Sequence, residues 1–485
     1  MLQFIALGGA LDPKKEKPAI GGSAYALMID DWTLLVDFGI YHSLQFKESE
    51  GGILLVEEEP TEYMDVGSEK WPILPVFDFS KLFEKDDLYL LRASVAHYLP
   101  SDELILNAKK LAVVVTHAHV DHSGALPYLK KCFPDAAIMM TRATLDISMW
   151  SWKNNLRNAR RDKRPPLFLE DDINALKESV RVIEPNERMS FPSFELQFFP
   201  AGHILGAVSV LVRIPGTTPR TIFVSGDMSF ENQYTVPGAP PLTKAEIGGE
   251  LDCLILEATN GGKVSQPRRM LEEAFVSDVE SCLARGGKFL LGAFSIARAQ
   301  EIFGILHAYG VTRRWSVYFD GTACDVASIY SRHGALPGNV AEHFIQTDEE
   351  RNEALTGEKP LVMIAPAGMF NVGRSLQYAV AWAENPAHVI GITSYQDPCA
   401  PGYQILNLKP GQHANFGGKN LHFNASVKKY QISSHLDMAE MVKTIERLEP
   451  REVFLVHGEE EAMDKVRSAA GASVQKTFLN EPYVL

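Results

Sequence analysis

The sequence predicts an α/β fold in which a second α/β domain is inserted into the first. Three observations predict it. Apolar runs of strand length end repeatedly in polar loop residues, as in KLAVVVTHAHVDH and RTIFVSGD, the signature of buried strands. These runs alternate with stretches of helical spacing, as layered sheet-and-helix folds do. The stretch from about 261 to 410 carries a strand–helix rhythm of its own. On this reading residues 1–258 and 411–485 form the outer domain and residues 259–410 the inserted one.

Taken in order, YALMIDDWTLLVDFG (25–39) predicts two short strands joined at a tight Asp-Asp turn. Residues 44–106 interrupt the pattern as an extra insertion; part of it, KESEGGILLVEEEPTEYMD, is strongly acidic and reads as a solvated surface elaboration. KLAVVV is a buried strand that delivers THAHVDH at its carboxyl end, and SGALPYLKKCF continues with helical spacing. FELQFFPAGHILGAVSVLVRI, RTIFVSGD and LDCLILEATN each pair a strand with a polar loop. EVFLVHGEEEAMDKVRSA does so once more and runs into a helix. In the inserted stretch GGKFLLGAF, RRWSVYFDG, KPLVMIAPAG and AHVIGITSY predict parallel strands with helices between them.

The polar ends of these strands carry the chemistry. THAHVDHSGALP places His117, His119, Asp121 and His122 within six positions. Imidazoles and a carboxylate at this density suit Zn²⁺, Mn²⁺ or iron. One cluster cannot close a metal site, but other strand ends offer His203 in FPAGHILGAVS, Asp227 in VSGD and His457 in FLVHGE. His117, His119 and His203 would make one three-nitrogen site. Asp121, His122 and His457 would make a second, with Asp227 bridging both. Asp37, in LLVDFG, is read as a carboxylate that orients a ligand histidine, although a turn aspartate would look the same.

Composition sets limits. The net charge is −14, from 47 Lys and Arg against 61 Asp and Glu. That balance argues against coating nucleic acid, which rests on many cation–phosphate contacts. It leaves room for an enzyme with bound cations or a local basic track. SWKNNLRNARRDKRPP (151–166) is such a run, with Lys153, Arg157, Arg160, Arg161, Lys163 and Arg164 beside Trp150 and Trp152. It reads either as phosphate contacts plus stacking or as a solvated helix face. Five scattered cysteines (Cys132, Cys253, Cys282, Cys324, Cys399) contain no CxxC and predict reduced thiols in a cytoplasmic protein. No signal peptide and no membrane span are expected.

Together these residues resemble the metallo-β-lactamase fold, and within it the β-CASP branch of nucleases. THAHVDHSGALP is similar to the branch's histidine signature, and AGHILGA and SGD to its third and fourth metal motifs. LEATN resembles its acidic motif, matching Glu257, with Asn260 in place of the usual tyrosine. GAFSIARAQE resembles the segment with Arg298, Gln300 and Glu301, and APAGMFNVGRS the loop with Gly368 and Met369, followed by Arg374 and Ser375. ISSHLDMAEM matches the next motif at His435, and LVHGE the last at His457. SYQDPCAPGY departs from the usual Gly-Thr-Leu-Gly ending of its segment.

The resemblance implies an αββα sandwich with an inserted α/β β-CASP domain. It implies a ribonuclease that uses two Zn²⁺ (with Mn²⁺ as a substitute) to activate a hydroxide, leaving a 5′-phosphate and a 3′-hydroxyl. His435, held by Glu257, is implied as the acid that protonates the leaving oxygen, and Asp121 joins them in the catalytic set. Arg298, Gly368, Met369, Arg374 and Ser375 are implied substrate contacts. A histidine at the last motif looks like the RNA-processing members, with DNA as runner-up substrate. A small-molecule metallo-hydrolase and a silent binding subunit are the remaining readings, and a homodimer is left open. Two dications bring about +4 against about −3 from Asp121, Asp227 and hydroxide, so the site would be positive within an acidic protein.

Overall fold

The computed structural model describes residues 2–13, 22–40, 108–161, 166–398, 400–416, 418–471 and 473–485, with the backbone of a hairpin at Glu62–Val66 and Glu69–Ile73. The rest of the expected insertion at 44–106, Cys399, and Lys163 and Arg164 lie outside the described residues. The chain divides into two compact units. One comprises Met1–Phe230, Gly238–Val264 and His435–Leu485, the other Glu231–Pro237 and Ser265–Ser434.

In the first unit two seven-stranded sheets face each other. One runs in the order Pro482–Val484, Gln3–Gly8, Ala24–Ile29, Trp32–Val36, Lys110–Val114, Ala137–Thr141 and Arg181–Ile183. The other runs Val474–Lys476, Glu452–Val456, Cys253–Glu257, Arg220–Val224, Val208–Ile214, Glu195–Pro200 and Arg188–Ser190. Side chains alternate across a strand, and the run from Leu111 to Val115 shows the consequence. Ala112 and Val114 enter the core between the sheets, beside Phe198, Val210, Ile255 and Phe454. Leu111, Val113 and Val115 enter the core on the opposite face, with Leu129, Leu145, Trp152 and Ile173 of three helices. A strand buried on both faces must be apolar throughout, which is why these strands read as unbroken runs. Full burial of each such side chain contributes roughly 1.5–3 kcal/mol.

The tight turn expected at Asp30 and Asp31 joins strands Ala24–Ile29 and Trp32–Val36, paired from Ile29–Trp32 to Tyr25–Val36. Helices Met438–Leu448 and Glu460–Ala470 pack on each other, and the latter on strand Val474–Lys476. Among the described residues no helix is long and apolar enough to cross a membrane.

The second unit carries the expected parallel sheet. Its order is Ser316–Phe319, Leu361–Ala365, Phe289–Gly292, Val389–Ile392 and Ser426–Lys429, with every neighbouring pair parallel. The unit runs on to Ser434, beyond residue 411 where the sequence reading returned the chain to the outer domain. Met363, Ile390, Tyr378, Trp382 and Phe423 are among the residues of its core.

Candidate metal centre

The first unit's sheet edges bring the strand-end residues together. Beyond strand Lys110–Val114 the chain stays extended, with the Val115 N–H on the Met139 carbonyl and the Thr116 carbonyl accepting the Val208 N–H. The next residues close into a single helical turn, Val120–Ser123. That turn is held from outside: the Ser23 N–H donates to the Asp121 carbonyl at 2.7 Å and the Phe38 N–H to the His122 carbonyl at 2.8 Å. Gly39 passes so close that a Cβ there would sit 1.8 Å from the Asp121 carbonyl oxygen. Gly202, before His203, has φ +70°, and its Cβ would lie 2.3 Å from the Ala239 nitrogen, so that turn requires glycine. The His457 N–H is fixed on the Gly9 carbonyl at 2.7 Å.

Two donor sets result. His117, His119, His203 and Asp227 offer ligand atoms within 4.8 Å of one another, and so do Asp121, His122 and His457. His119 Nδ1 lies 3.1 Å from His117 Nε2 and 3.2 Å from His203 Nε2. Asp227 Oδ2 stands 3.7 Å from both His117 Nε2 and His203 Nε2, and 3.4 Å from His122 Nε2. Asp227 Oδ1 is 3.4 Å from His457 Nδ1, so this carboxylate faces both sets. His457 Nε2 is 3.3 Å from Asp121 Oδ2.

The hydrogen-bond network assigns the histidine tautomers. Asp37 accepts the Thr116 N–H and hydroxyl, both at 2.7 Å, and His122 Nδ1 at 2.8 Å. The Thr116 hydroxyl, already donating to Asp37, therefore accepts from His117 Nδ1 at 3.0 Å. Thr259 repeats the arrangement: its hydroxyl donates to the His457 carbonyl at 3.1 Å and accepts from His457 Nδ1 at 3.0 Å. Three histidines thus commit Nδ1 to a partner and turn Nε2 inward, as metal-bound histidines with outer partners do.

Electrostatics agree with a cation between these groups. Burial holds the His117 imidazole well below its ordinary range and lowers His119 to about 4, keeping both as neutral ligands. His122 is likewise opposed by burial, but Asp227, Asp121 and Asp37 raise it well above its ordinary value. Burial is outweighed by neighbouring histidines at Asp121 and Asp227, and both carboxyls are held low. Asp227 Oδ1 is buried and accepts no hydrogen bond. Converging nitrogen lone pairs, anionic carboxylates and an orphaned buried oxygen are what a bound cation satisfies, so the residues present fit a metal.

The expected acid pair adjoins the same carboxylate. His435 Nδ1 lies 3.0 and 3.2 Å from the two oxygens of Glu257 and 3.9 Å from Asp227 Oδ2. Glu257 is buried and is aimed by the Met228 N–H at 3.0 Å. His435 lies two residues before Asp437, which caps helix Met438–Leu448 by accepting the Glu440 N–H. Asn260, in the place of the usual tyrosine, bridges to Asp437. Thr116 and Thr259 were missed by the sequence reading; their only signal is adjacency to the ligand motifs.

Other expected contacts lie in the second unit. Arg298 opens helix Arg298–Ala308, its Nη1 buried without a hydrogen-bond partner and its guanidinium lowered by burial to about 10, still a cation at neutral pH. Glu301 turns inward, accepting the Tyr234 and Thr235 N–H groups at 3.0 Å and pairing with Arg268. Gly368 and Met369 sit in the loop after Leu361–Ala365, and Arg374, 3.9 Å from Asp320, is partly exposed. Ser375 departs from its expected role: it is fully buried and its hydroxyl donates to the Ala367 carbonyl at 2.6 Å, so it shapes that loop from beneath. The stacking role for Trp152 is also corrected. It is 1% exposed and donates Nε1–H to the Ser123 carbonyl at 2.9 Å, behind the metal-site turn.

Three family descriptions match successive segments. They are the metallo-beta-lactamase superfamily over 90–280, the Beta-Casp domain over 299–405, and the Zn-dependent metallo-hydrolase RNA specificity domain over 420–476. Probable RNase MJ4 of Methanocaldococcus jannaschii is 27% identical over 72% of this chain and 81% of its own length. Endoribonuclease ysh1 of Emericella nidulans is 28% identical over 73% of this chain and 45% of its own. Transcription termination factor FttA of Thermococcus kodakarensis is 28% identical over 72% and 57%. The chain thus spans about half the length of the last two. A solved protein of unknown function from Enterococcus faecalis V583 shares the fold at a TM-score of 0.57 and 13% identity, over the full length of both chains. With all three segments matched in order, the chain belongs to the β-CASP branch of the metallo-β-lactamase superfamily.

Proposed function

We propose that this protein is a metal-dependent ribonuclease that hydrolyses RNA phosphodiester bonds, leaving a 5′-phosphate and a 3′-hydroxyl. The observation that carries the reading is the position of Asp227, facing two donor sets while the His435–Glu257 pair stands beside it. His117, His119 and His203 would hold one cation, Asp121, His122 and His457 a second, with Asp227 reaching both. A pair of zinc or manganese ions there would supply Lewis acidity toward the phosphoryl oxygens and acidify a water for attack.

The chain's own residues do the rest. Glu257 holds His435 at Nδ1, and a carboxylate partner favours the protonated imidazole. The proton His435 transfers is then the one on Nε2, given to the leaving ribose oxygen. Asp37 and Thr116 keep His122 and His117 in the tautomer that presents Nε2, and Thr259 does the same for His457.

RNA is favoured over DNA by the names of the relatives and by the histidine at position 457. The free thiols of Cys253, Cys282 and Cys324 fit a reducing, cytoplasmic setting. The test is cleavage of matched RNA and DNA strands with added Zn²⁺ or Mn²⁺, followed by end-group analysis. RNA cut to 5′-phosphates supports the reading; DNA cut in preference overturns the substrate, and 3′-phosphate products overturn the assignment of His435.

A further inference from the structure

Beside the two donor sets lies a third group of the same kind. Asp227, Glu257 and His435 each offer a ligand atom, and these atoms lie within 4.8 Å of one another. All three residues belong to the first unit. His435 Nδ1 stands 3.0 and 3.2 Å from the two Glu257 oxygens and 3.9 Å from Asp227 Oδ2. A tetrahedral zinc with bonds of about 2.0–2.2 Å spaces its ligand atoms roughly 3.3–3.6 Å apart. In the first donor set the separations from His119 to His117 and His203 are 3.1 and 3.2 Å, and Asp227 lies 3.7 Å from both His117 and His203. The third group has nearly the same spread.

This group is also held in place. Glu257 and Asp227 are 1% and 3% exposed. The Met228 N–H donates to one Glu257 oxygen at 3.0 Å, and the Glu257 N–H donates to the Ser225 hydroxyl at 3.0 Å. His435 is 20% exposed, so the group opens to solvent at its imidazole, and an ion would enter there. One nitrogen and two carboxylates suit zinc. Manganese binds a given set of nitrogen and oxygen donors less tightly than zinc does.

Filling this group is harder than filling the other two. The Nδ1 proton that joins His435 to Glu257 must pass to solvent, and a dication takes its place. That exchange adds one positive charge beside two cations, so the third ion is the weakest of the three. It also changes what His435 does. With zinc on Nδ1 the ring holds one proton, on Nε2. Giving that proton to the leaving oxygen would leave an imidazolate, so the group is lost as an acid.

We propose that Asp227, Glu257 and His435 form a third, weaker zinc site that silences the ribonuclease when free zinc is high. This rests on the ribonuclease reading with two ions. It adds that the same side chains carry an off state, set by zinc and not by manganese.

The test uses the full chain and its His435→Ala and Glu257→Gln variants. Each is dialysed against graded free Zn²⁺, and ions per chain are counted by elemental analysis. Thermal melting with two ions bound checks that each variant folds. The parent takes up two ions and then a third with affinity about tenfold or more weaker, while both variants stop at two. Cleavage of RNA by the parent falls about tenfold as the third ion enters, and cleavage supported by Mn²⁺ shows no such fall. A third ion that persists in both variants lies elsewhere and overturns the site. A parent that never passes two ions overturns it as well and leaves the ribonuclease reading standing. Cleavage that is unchanged as the third ion enters overturns the silencing. A parent that holds fewer than two ions overturns both the third site and the two-ion reading.

Discussion

At the scale of single residues, the centre depends on side chains that never touch the cation. Thr259 fixes His457 through Nδ1, and Thr116 fixes His117. Thr259→Val keeps the shape and removes the hydroxyl, so metal affinity should fall about 10–100-fold with little change in melting temperature. Metal titration with a competing chelator reads it; unchanged affinity would mean His457 needs no orienting partner. His122 gives a second residue-level prediction. Asp227, Asp121 and Asp37 raise its pKa against burial, favouring the protonated form before metal binds, yet a ligand imidazole must be neutral. Metal uptake at pH 7 should therefore release about one proton, and affinity should rise with pH until His122 deprotonates unaided. Calorimetry in buffers of different ionisation enthalpy measures that release, and none at all would contradict the assignment of His122 as a ligand. The ligands were legible in the sequence because each follows an apolar run that ends abruptly, as at Val115, Val224 and Val456. The two threonines were not, because a hydroxyl beside a ligand has no spacing of its own.

Elements set the precision of the site. The turn Val120–Ser123 is positioned by Gly39, whose neighbour at 1.8 Å from an added Cβ is backbone and cannot rotate away. Gly39→Ala should destabilise by roughly 1–3 kcal/mol and weaken metal binding at the same time; denaturation and metal titration on one sample test the pairing. In the second unit Glu301 accepts two backbone N–H groups and the Thr235 hydroxyl and pairs with Arg268, clasping segment Glu231–Pro237. Glu301→Ala leaves the Tyr234 and Thr235 N–H groups and the Thr235 hydroxyl without their acceptor while Arg268 keeps Glu272, and should cost about 1–3 kcal/mol in that unit's unfolding. A loss below about 1 kcal/mol would mean that water or a neighbour replaces the carboxylate. Some element-level features were readable and passed over. Leu145, Ser148, Trp152, Leu156 and Ala159 are buried at helical spacing, so the helix phase placed Trp152 inside although its basic neighbours suggested a nucleic-acid face. Strand Ser426–Lys429, SVKK, is only partly buried and has no apolar run to betray it. Strand order came only from the pairing itself, since hydrophobic pattern reports faces and not neighbours.

Across the whole molecule, a chain of net charge −14 gathers its catalytic donors from positions 117 to 457 into one unit. The inserted α/β rhythm was legible from composition and periodicity, because parallel strands buried on both faces leave long apolar signatures. The segment at 44–106 has no such signature; its acidity supported only the reading of a solvated surface elaboration, and apart from one hairpin it lies outside the described residues. The central claim is that these distant side chains hold cations that cut RNA. Its most direct test is metal-dependent cleavage of end-labelled RNA by the parent and by Asp121→Ala, prepared alike and folded alike. The parent should cleave and lose activity on chelation, and Asp121→Ala should be slower by about 10²-fold or more. Equal cleavage by the two proteins, or cleavage that survives chelation, would contradict the account.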